Sequence, residues 1–400
     1  MTALPKRRTV IAGLAGLAAA PRPARAAAPL RIGAPLPLTG PLSPEGVKLK
    51  QGYDLWAATA NAHGGIKAGA DLRPIELVYY DYQSATPKAV QLAEKLATDD
   101  KVDFMFSPFG SGAAKAASTV SERYGIPTIA PTASSAEVYD QGYKNIFGTF
   151  TSNDTIAEPI STLIHAAAPG IKRVAILARN DLYPLALGQE FEKSAKSRGL
   201  EVVYFGKYAI NALDHASALT EIRGARPDWI IVTGYINDLI LVRKQMADLG
   251  LTAQTITMAN GPAYTEFVDA LGPLAENLST SCWWSPAVRY TSKDVFGSTE
   301  GYNQAFTATY KSVPDYTAAT GSAAGVLLQM AIERAGSSDR AAVRAALAAG
   351  GFDTFFGPLS FAKTGQVNSY IPPVLQVQAG KIVVIYPDAI KQGTLRMGLK

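Results

Sequence analysis

The sequence predicts an α/β protein of two doubly wound parallel-sheet lobes, joined by a hinge that the chain crosses three times. Three observations point there. Short β-rich runs alternate with helical patterns of about 10–15 residues, the signature of parallel sheets covered by helices on both faces. The 400-residue chain exceeds what one hydrophobic core comfortably holds, so two domains are the default. After residue 280 the texture changes to helices in succession and then strands, a tail able to complete both sheets by crossing back between them.

The elements follow in order along the sequence. Residues 30–34 read as an apolar strand, and 46–61 as an amphipathic helix stopped at His63-Gly64-Gly65. Strands at 75–80, 102–107 and 126–130 flank helices at 87–98, which starts on a proline, and at 113–123, which ends before Gly125. The cycle repeats with strands at 173–178, 202–206, 229–233 and 255–258, and helices at 184–198, 216–222 and 238–249. Helices at 299–310, 318–333 and 339–348 come next. Strands at 359–361, 374–378 and 382–386 close the chain, the last two joined at Ala379-Gly380 as a tight hairpin. No repeat, low-complexity tract or long linker separates the halves, so a hinge is expected at the strand crossings. The expected lobes are residues 29–149 with 283–359, and 150–282 with 360–400.

The first 28 residues stand apart. Lys6, Arg7 and Arg8 precede an apolar run at 10–20 and then Pro21-Arg22-Pro23-Ala24-Arg25-Ala26-Ala27-Ala28. A basic head, a short apolar middle and an A-x-A end make a secretory signal, cleaved after Ala26 or Ala28, which places the protein in the periplasm. The run is too short to span a bilayer. Arg7-Arg8 before Thr9-Val10-Ile11 also resembles a twin-arginine signal. The whole chain carries +5, but all five charges of the leader are positive, so residues 27–400 are near neutral. The mature chain thus has no overall basic charge for nucleic acid or an acidic membrane. Cys282 is the only cysteine, so stability comes from the cores and not from a disulfide.

In open parallel sheets, ligands sit at the carboxyl ends of strands. Phe106-Ser107-Pro108-Phe109-Gly110-Ser111-Gly112 runs from a strand into a helix. Gly110 lets backbone approach a ligand, Ser111 offers a hydroxyl, and the helix N-terminus suits a carboxylate. No Gly-Lys-Ser/Thr follows, so this is not a phosphate loop. Taken alone, it is better read as an ordinary turn with a serine N-cap. A second loop, Ile129-Ala130-Pro131-Thr132-Ala133-Ser134-Ser135, shifts the balance: Ser134 caps a helix or turns to the ligand, and the Thr132 carbonyl is available to a ligand donor.

With these loops the chain resembles the leucine/isoleucine/valine-binding type of periplasmic solute receptor. The matching segments are Ala34-Pro35-Leu36-Pro37-Leu38-Thr39-Gly40-Pro41, Asn61-Ala62-His63-Gly64-Gly65-Ile66, Tyr80-Asp81-Tyr82-Gln83, Gly125-Ile126-Pro127, Pro131-Thr132-Ala133-Ser134 and Phe356-Gly357-Pro358-Leu359-Ser360-Phe361. The resemblance implies a type I periplasmic-binding-protein fold, no cofactor, hinge closure, and a membrane permease of an ABC importer as partner to a monomer. It also implies that Ser111 and Ser134 hold a ligand carboxylate, that the Thr132 carbonyl accepts from the ligand, and that Tyr183 and Tyr235 close from the second lobe.

Two departures bear on the ligand. Amino-acid receptors of this type grip the ligand ammonium with an acidic residue, where Met258-Ala259-Asn260-Gly261 places Asn260. A neutral amide cannot balance a buried ammonium, but it can donate to a keto or hydroxyl oxygen. Glu45 stands where relatives often carry an aromatic, although a solvent-facing carboxylate at a helix N-terminus is the simpler reading. With a shifted alignment, Glu266 becomes the acidic partner. The ligand is therefore an amino acid of branched-chain type or a related carboxylate, with aromatic and 2-oxo acids as the alternative and a small-ligand sensor as another. Catalysis is not expected: His63, His165 and His215 fall in no metal or triad motif, and Cys282 beside Trp283-Trp284 reads as a buried inert thiol.

Overall fold

A computed structural model describes residues 1–3 and 28–398. Residues 4–27, which hold most of the expected leader and its cleavage position after Ala26, lie outside the described residues. The first run comprises β1 (Leu30–Leu36), α1 (Ser43–Ala62), β2 (Ile66–Ala68), β3 (Asp71–Arg73), β4 (Ile75–Asp81), α2 (Thr86–Thr98), β5 (Phe104–Phe106), α3 (Ser111–Arg123), β6 (Thr128–Ala130) and β7 (Ile146–Gly148). Five of these strands make a parallel sheet in the order β4-β1-β5-β6-β7, while β2 and β3 form a separate hairpin.

The second run comprises α4 (Asn153–Ala167), β8 (Arg173–Arg179), α5 (Leu182–Ser197), β9 (Glu201–Tyr208), α6 (Ala216–Ala225), β10 (Trp229–Thr233), α7 (Ile236–Asp248), β11 (Thr255–Met258), α8 (Thr265–Leu271) and β12 (Ser279–Ser281). The tail adds α9 (Thr299–Tyr310), α10 (Tyr316–Ala335), α11 (Arg340–Ala348), the small hairpin β13 (Phe352–Thr354) and β14 (Gly357–Leu359), then β15 (Val374–Gln378) and β16 (Lys381–Tyr386). The second sheet runs β16-β15-β12-β11-β10-β8-β9, parallel except for β15 and β16.

The period-two alternation of strands divides the first core. Phe104 and Phe106 of β5 join the cluster with Tyr53 and Trp56 of α1, while Met105 between them joins Leu96 of α2 and Val120 of α3 on the other face. Helix α10 is bound to α1 rather than to the second sheet. The Trp56 indole donates to Gln329 at 3.1 Å, and the Ser322 hydroxyl donates to the Gly52 carbonyl at 2.6 Å. The chain therefore leaves the first sheet after β7, returns to cover it with α9–α11, and re-enters the second sheet at β15. Those are the three crossings of the type I fold.

Four differences from the sequence reading have physical reasons. The strand expected at 359–361 ends at Leu359 and pairs within its own hairpin, and Phe361 makes only a single bridge to Val367. Helix α4 was not delimited in the sequence because Pro159 interrupts its pattern. The three-residue strands β7, which ends on Gly148, and β12, which is Ser-Thr-Ser, lack the longer apolar runs that mark the equally short β5 and β6. Helix α8 is hidden by its seven-residue length and the flanking Gly-Pro pairs.

Candidate functional site

The site forms where carboxyl ends of strands from both sheets face each other. From the first sheet, the β5–α3 loop brings Phe109 and Gly110. Gly110 precedes α3 at φ 82° and ψ 153°, a conformation that requires glycine. Its N–H donates to the Thr132 hydroxyl at 3.0 Å, which ties the β5 and β6 loops together. No side chain caps α3. Its first-turn N–H groups therefore have no capping side chain, and the carboxylate nearest to that turn is Asp181, whose Oδ1 lies 3.2 Å from where a Cβ on Gly112 would stand.

From the second sheet come Tyr183 in the first turn of α5, Tyr235 at the N-cap of α7, and Asn260 after β11. The Asn260 N–H donates to the Thr280 hydroxyl at 2.7 Å and its amide donates to the Tyr183 hydroxyl at 2.5 Å. Its Oδ1 is buried without a partner. Arg179 holds the Tyr235 ring from behind, with its guanidinium 5.0 Å from the centroid while paired to Asp238 at 2.6 Å. The crossings and the start of α10 supply Phe150, Trp283 and Tyr316. Phe150 stacks on Trp283 at 3.9 Å, and Tyr316 lies 5.8 Å from Trp283.

Together Phe109, Gly110, Thr132, Phe150, Tyr183, Tyr235, Asn260, Trp283 and Tyr316 line a cavity of about 20 Å³. Six of these nine are aromatic and none is ionised. Burial pushes the Tyr183 and Tyr235 phenols above their ordinary values, so both remain protonated. Contacts across the cleft hold it shut. Tyr264 donates to the Tyr316 hydroxyl at 2.5 Å, the Asn237 amide donates to the Pro41 carbonyl at 3.1 Å, and Lys48 pairs with Glu266.

Five of the eight residues singled out in the sequence, Gly110, Thr132, Tyr183, Tyr235 and Asn260, line the cavity. Ser111, Ser134 and Glu45 do not. The Ser111 hydroxyl accepts from the Ser134 and Ser135 N–H groups at 3.2 Å each, and the Ser134 hydroxyl donates to Asn153 at 2.6 Å. Both serines are thus engaged in shaping the two loops. Glu45 is not solvent-facing, as its helix position suggested, but 1 % exposed. Glu266 sits on the Lys48 pair, away from the cavity. Cys282 is buried, burial pushes its thiol up to about 12, and it donates to the Trp284 carbonyl at 2.9 Å. The sequence reading did not assign Phe109, Phe150, Trp283 and Tyr316 to the site. The available signal was position, because Phe150 and Trp283 stand at two of the crossings.

A groove of about 1140 Å³ runs beside the cavity between α1, α8 and the segment at 284–289. It contains none of the eight residues and shares only Tyr316 with the cavity. Among the described residues no helix is long and apolar enough to cross a membrane.

Two open parallel sheets that meet over a small closed cavity define a two-lobed solute receptor. Residues 29–381 match the periplasmic binding protein family model, and the chain belongs to that family. It is 26% identical over 367 residues to Leu/Ile/Val-binding protein homolog 7 of Brucella abortus (strain 2308), covering 88% of this chain and 90% of the relative. Its fold is similar to that of a leucine-binding protein from Thermotoga maritima, with a TM-score of 0.79 and 22% identity over 90% of this chain and 99% of the other. It is likewise similar to an ABC transporter solute-binding protein from R. palustris in complex with benzoate, with a TM-score of 0.77 and 25% identity over 89% and 95%. The family is a solute-binding class, which implies a location outside the cytoplasm and a permease partner.

Proposed function

We infer that this protein is the exported receptor of an ABC importer and captures a small carboxylate, preferentially an aromatic acid, by closing two lobes over it. The lobes divide at residues 29–149 with 283–359 and 150–282 with 360–400, and the receptor acts as a monomer without catalysis, after loss of its leader. The observation that carries the ligand class is the cavity wall: six aromatic rings, no ionised side chain, and an uncapped helix N-terminus behind Gly110 at one end. An uncapped N-terminus suits a carboxylate. Aromatic walls suit a flat ring, since offset and edge-on ring pairs contribute about 0.5–1.5 kcal/mol each beyond burial. By the family resemblance, Asn260 takes the place of the acidic residue that pairs with a ligand ammonium, and leaving that ammonium unpaired would cost several kcal/mol.

The mechanism needs no bond making. The carboxylate docks on α3 in the open form, and the second lobe then brings Tyr183, Tyr235 and Asn260 against it, with the rings spread further than in the closed cavity of about 20 Å³, which has room for about one water. The ligand favours closure only by its extra contacts there. A thermal-shift panel tests this with benzoate, hydroxybenzoates, leucine and the 2-oxo acid of leucine. The expected order is aromatic acids first, the oxo acid next and leucine last. A leucine response above the others would refute the ligand class and return the receptor to amino acids.

A further inference from the structure

Glu45 lies in the first turn of α1, and its Oε1 accepts the N–H of Ile236, the first residue of α7, at 3.2 Å. Helix α1 covers the first sheet and α7 leads from the second, so this bond spans the cleft. The other oxygen, Oε2, is buried and has no partner. The bond is out of water only while the lobes are together. Parting them removes the Ile236 donor and exposes the carboxyl.

The neighbours do not neutralise a charge here. Lys48, one turn further along α1, is directed to Asp315 at 2.7 Å and to Glu266. Asp238 faces Glu45 from α7 and is itself held by Arg179, which also lies 3.8 Å from Asp181. Tyr82 after β4, Tyr235 before α7, Tyr264 before α8 and Tyr316 at the start of α10 complete the surroundings, all phenols kept protonated by burial. Tyr235 and Tyr316 are also walls of the cavity. An ionised Glu45 in the closed form is therefore a buried carboxylate with only the backbone N–H groups of Ile236 and of its own residue as donors and no facing cation free to pair with it.

We propose that Glu45 is a proton-operated latch: closing the lobes over an anionic ligand takes up a proton at Glu45, and opening sheds it. This rests on the reading that the lobes close on a small carboxylate. The geometry agrees with the electrostatics. Burial, opposed by the Ile236 N–H and by Glu45's own backbone N–H, reinforced by Asp238 and slightly opposed by Lys48, raises the Glu45 carboxyl to about 7. A group whose closed-state value lies above its open-state value binds an extra proton on closure, so affinity is highest in acid and is lost as pH rises through 7. With an ordinary carboxyl value in the open form, affinity falls about thirtyfold between pH 5.5 and 8.5 and then levels.

The test is calorimetric titration with benzoate, which stays ionised over that range, at pH 6.0 in buffers of different ionisation enthalpy. The wild-type protein is expected to take up close to one proton per benzoate bound. Glu45→Gln keeps the shape and one acceptor, and is expected to take up none and to bind with an affinity independent of pH. A wild-type uptake of zero overturns the latch whether or not the variant folds. Equal uptake in the two proteins overturns the assignment to Glu45. Absence of benzoate binding at every pH overturns the ligand reading and the latch together, while binding without uptake overturns the latch alone.

Discussion

Replacing Asn260 with aspartate changes one atom of a 6 %-exposed side chain and reverses what the cavity can hold. The amide now donates to the Tyr183 hydroxyl at 2.5 Å, its Oδ1 has no partner, and no Lys, Arg or His lines the cavity. A carboxylate at this position would be enclosed by aromatic rings and share the cavity with the ligand's own carboxylate. Leaving a buried charge unpaired costs about 3–5 kcal/mol. Since 1.36 kcal/mol is tenfold, benzoate affinity should fall by roughly two to four powers of ten. An amino acid brings the missing cation, so leucine affinity should rise in the same variant. Calorimetric titration of both proteins with both ligands measures the double difference and cancels any general loss of stability. Equal benzoate affinities, or a wild-type protein that already prefers leucine, would refute the reasoning.

Other expectations follow from single contacts. Gly110→Ala places a Cβ at φ 82° and 3.1 Å from the Tyr235 hydroxyl; the backbone strain of about 1–3 kcal/mol should lower Tm, and the clash should also weaken benzoate binding in titration. Gly52→Ala drives a Cβ into the Ala318 carbonyl and to 2.9 Å from the Ser322 nitrogen, where α1 meets α10. Overpacking there should destabilise the fold by about 1–3 kcal/mol, read by denaturant unfolding, with the affinity of the remaining folded protein unchanged. His215 is buried against Tyr208 with both ring nitrogens unpartnered, and burial lowers its pKa against the smaller opposing effects of Asp238 and Asp214. A depressed histidine gives stability that is complete above its unfolded value of about 6.5 and is lost as pH falls below it. His215→Phe should therefore flatten the decline in unfolding midpoint between pH 7 and 5.

What could be read in the sequence was set by length and position. Strands such as β8 and β10 and helices such as α5 and α7 are long enough to declare a period; the loops after β5 and β6 pointed to Gly110 and Thr132, whereas Tyr183, Tyr235 and Asn260 came from the family resemblance. The serines fit either role, because a hydroxyl at a helix start serves loop closure as well as a ligand; in the structure the hydroxyls of Ser111 and Ser134 have partners within the loops and α4. Glu45 was misjudged for a similar reason. A carboxylate is favoured in any first helical turn, and nothing local in the sequence says that α7 of the other lobe covers it. Phe150, Trp283 and Tyr316 are far apart in sequence and meet only because the chain crosses between lobes, so no single window could group them.

The structure of the protein bound to benzoate tests the account most directly. The prediction is a carboxylate within hydrogen-bond distance of the first-turn N–H groups of α3 behind Gly110, with its ring among Tyr183, Tyr235 and Trp283. A benzoate in the groove beside Lys48, or one with its carboxylate turned toward Asn260, would contradict it.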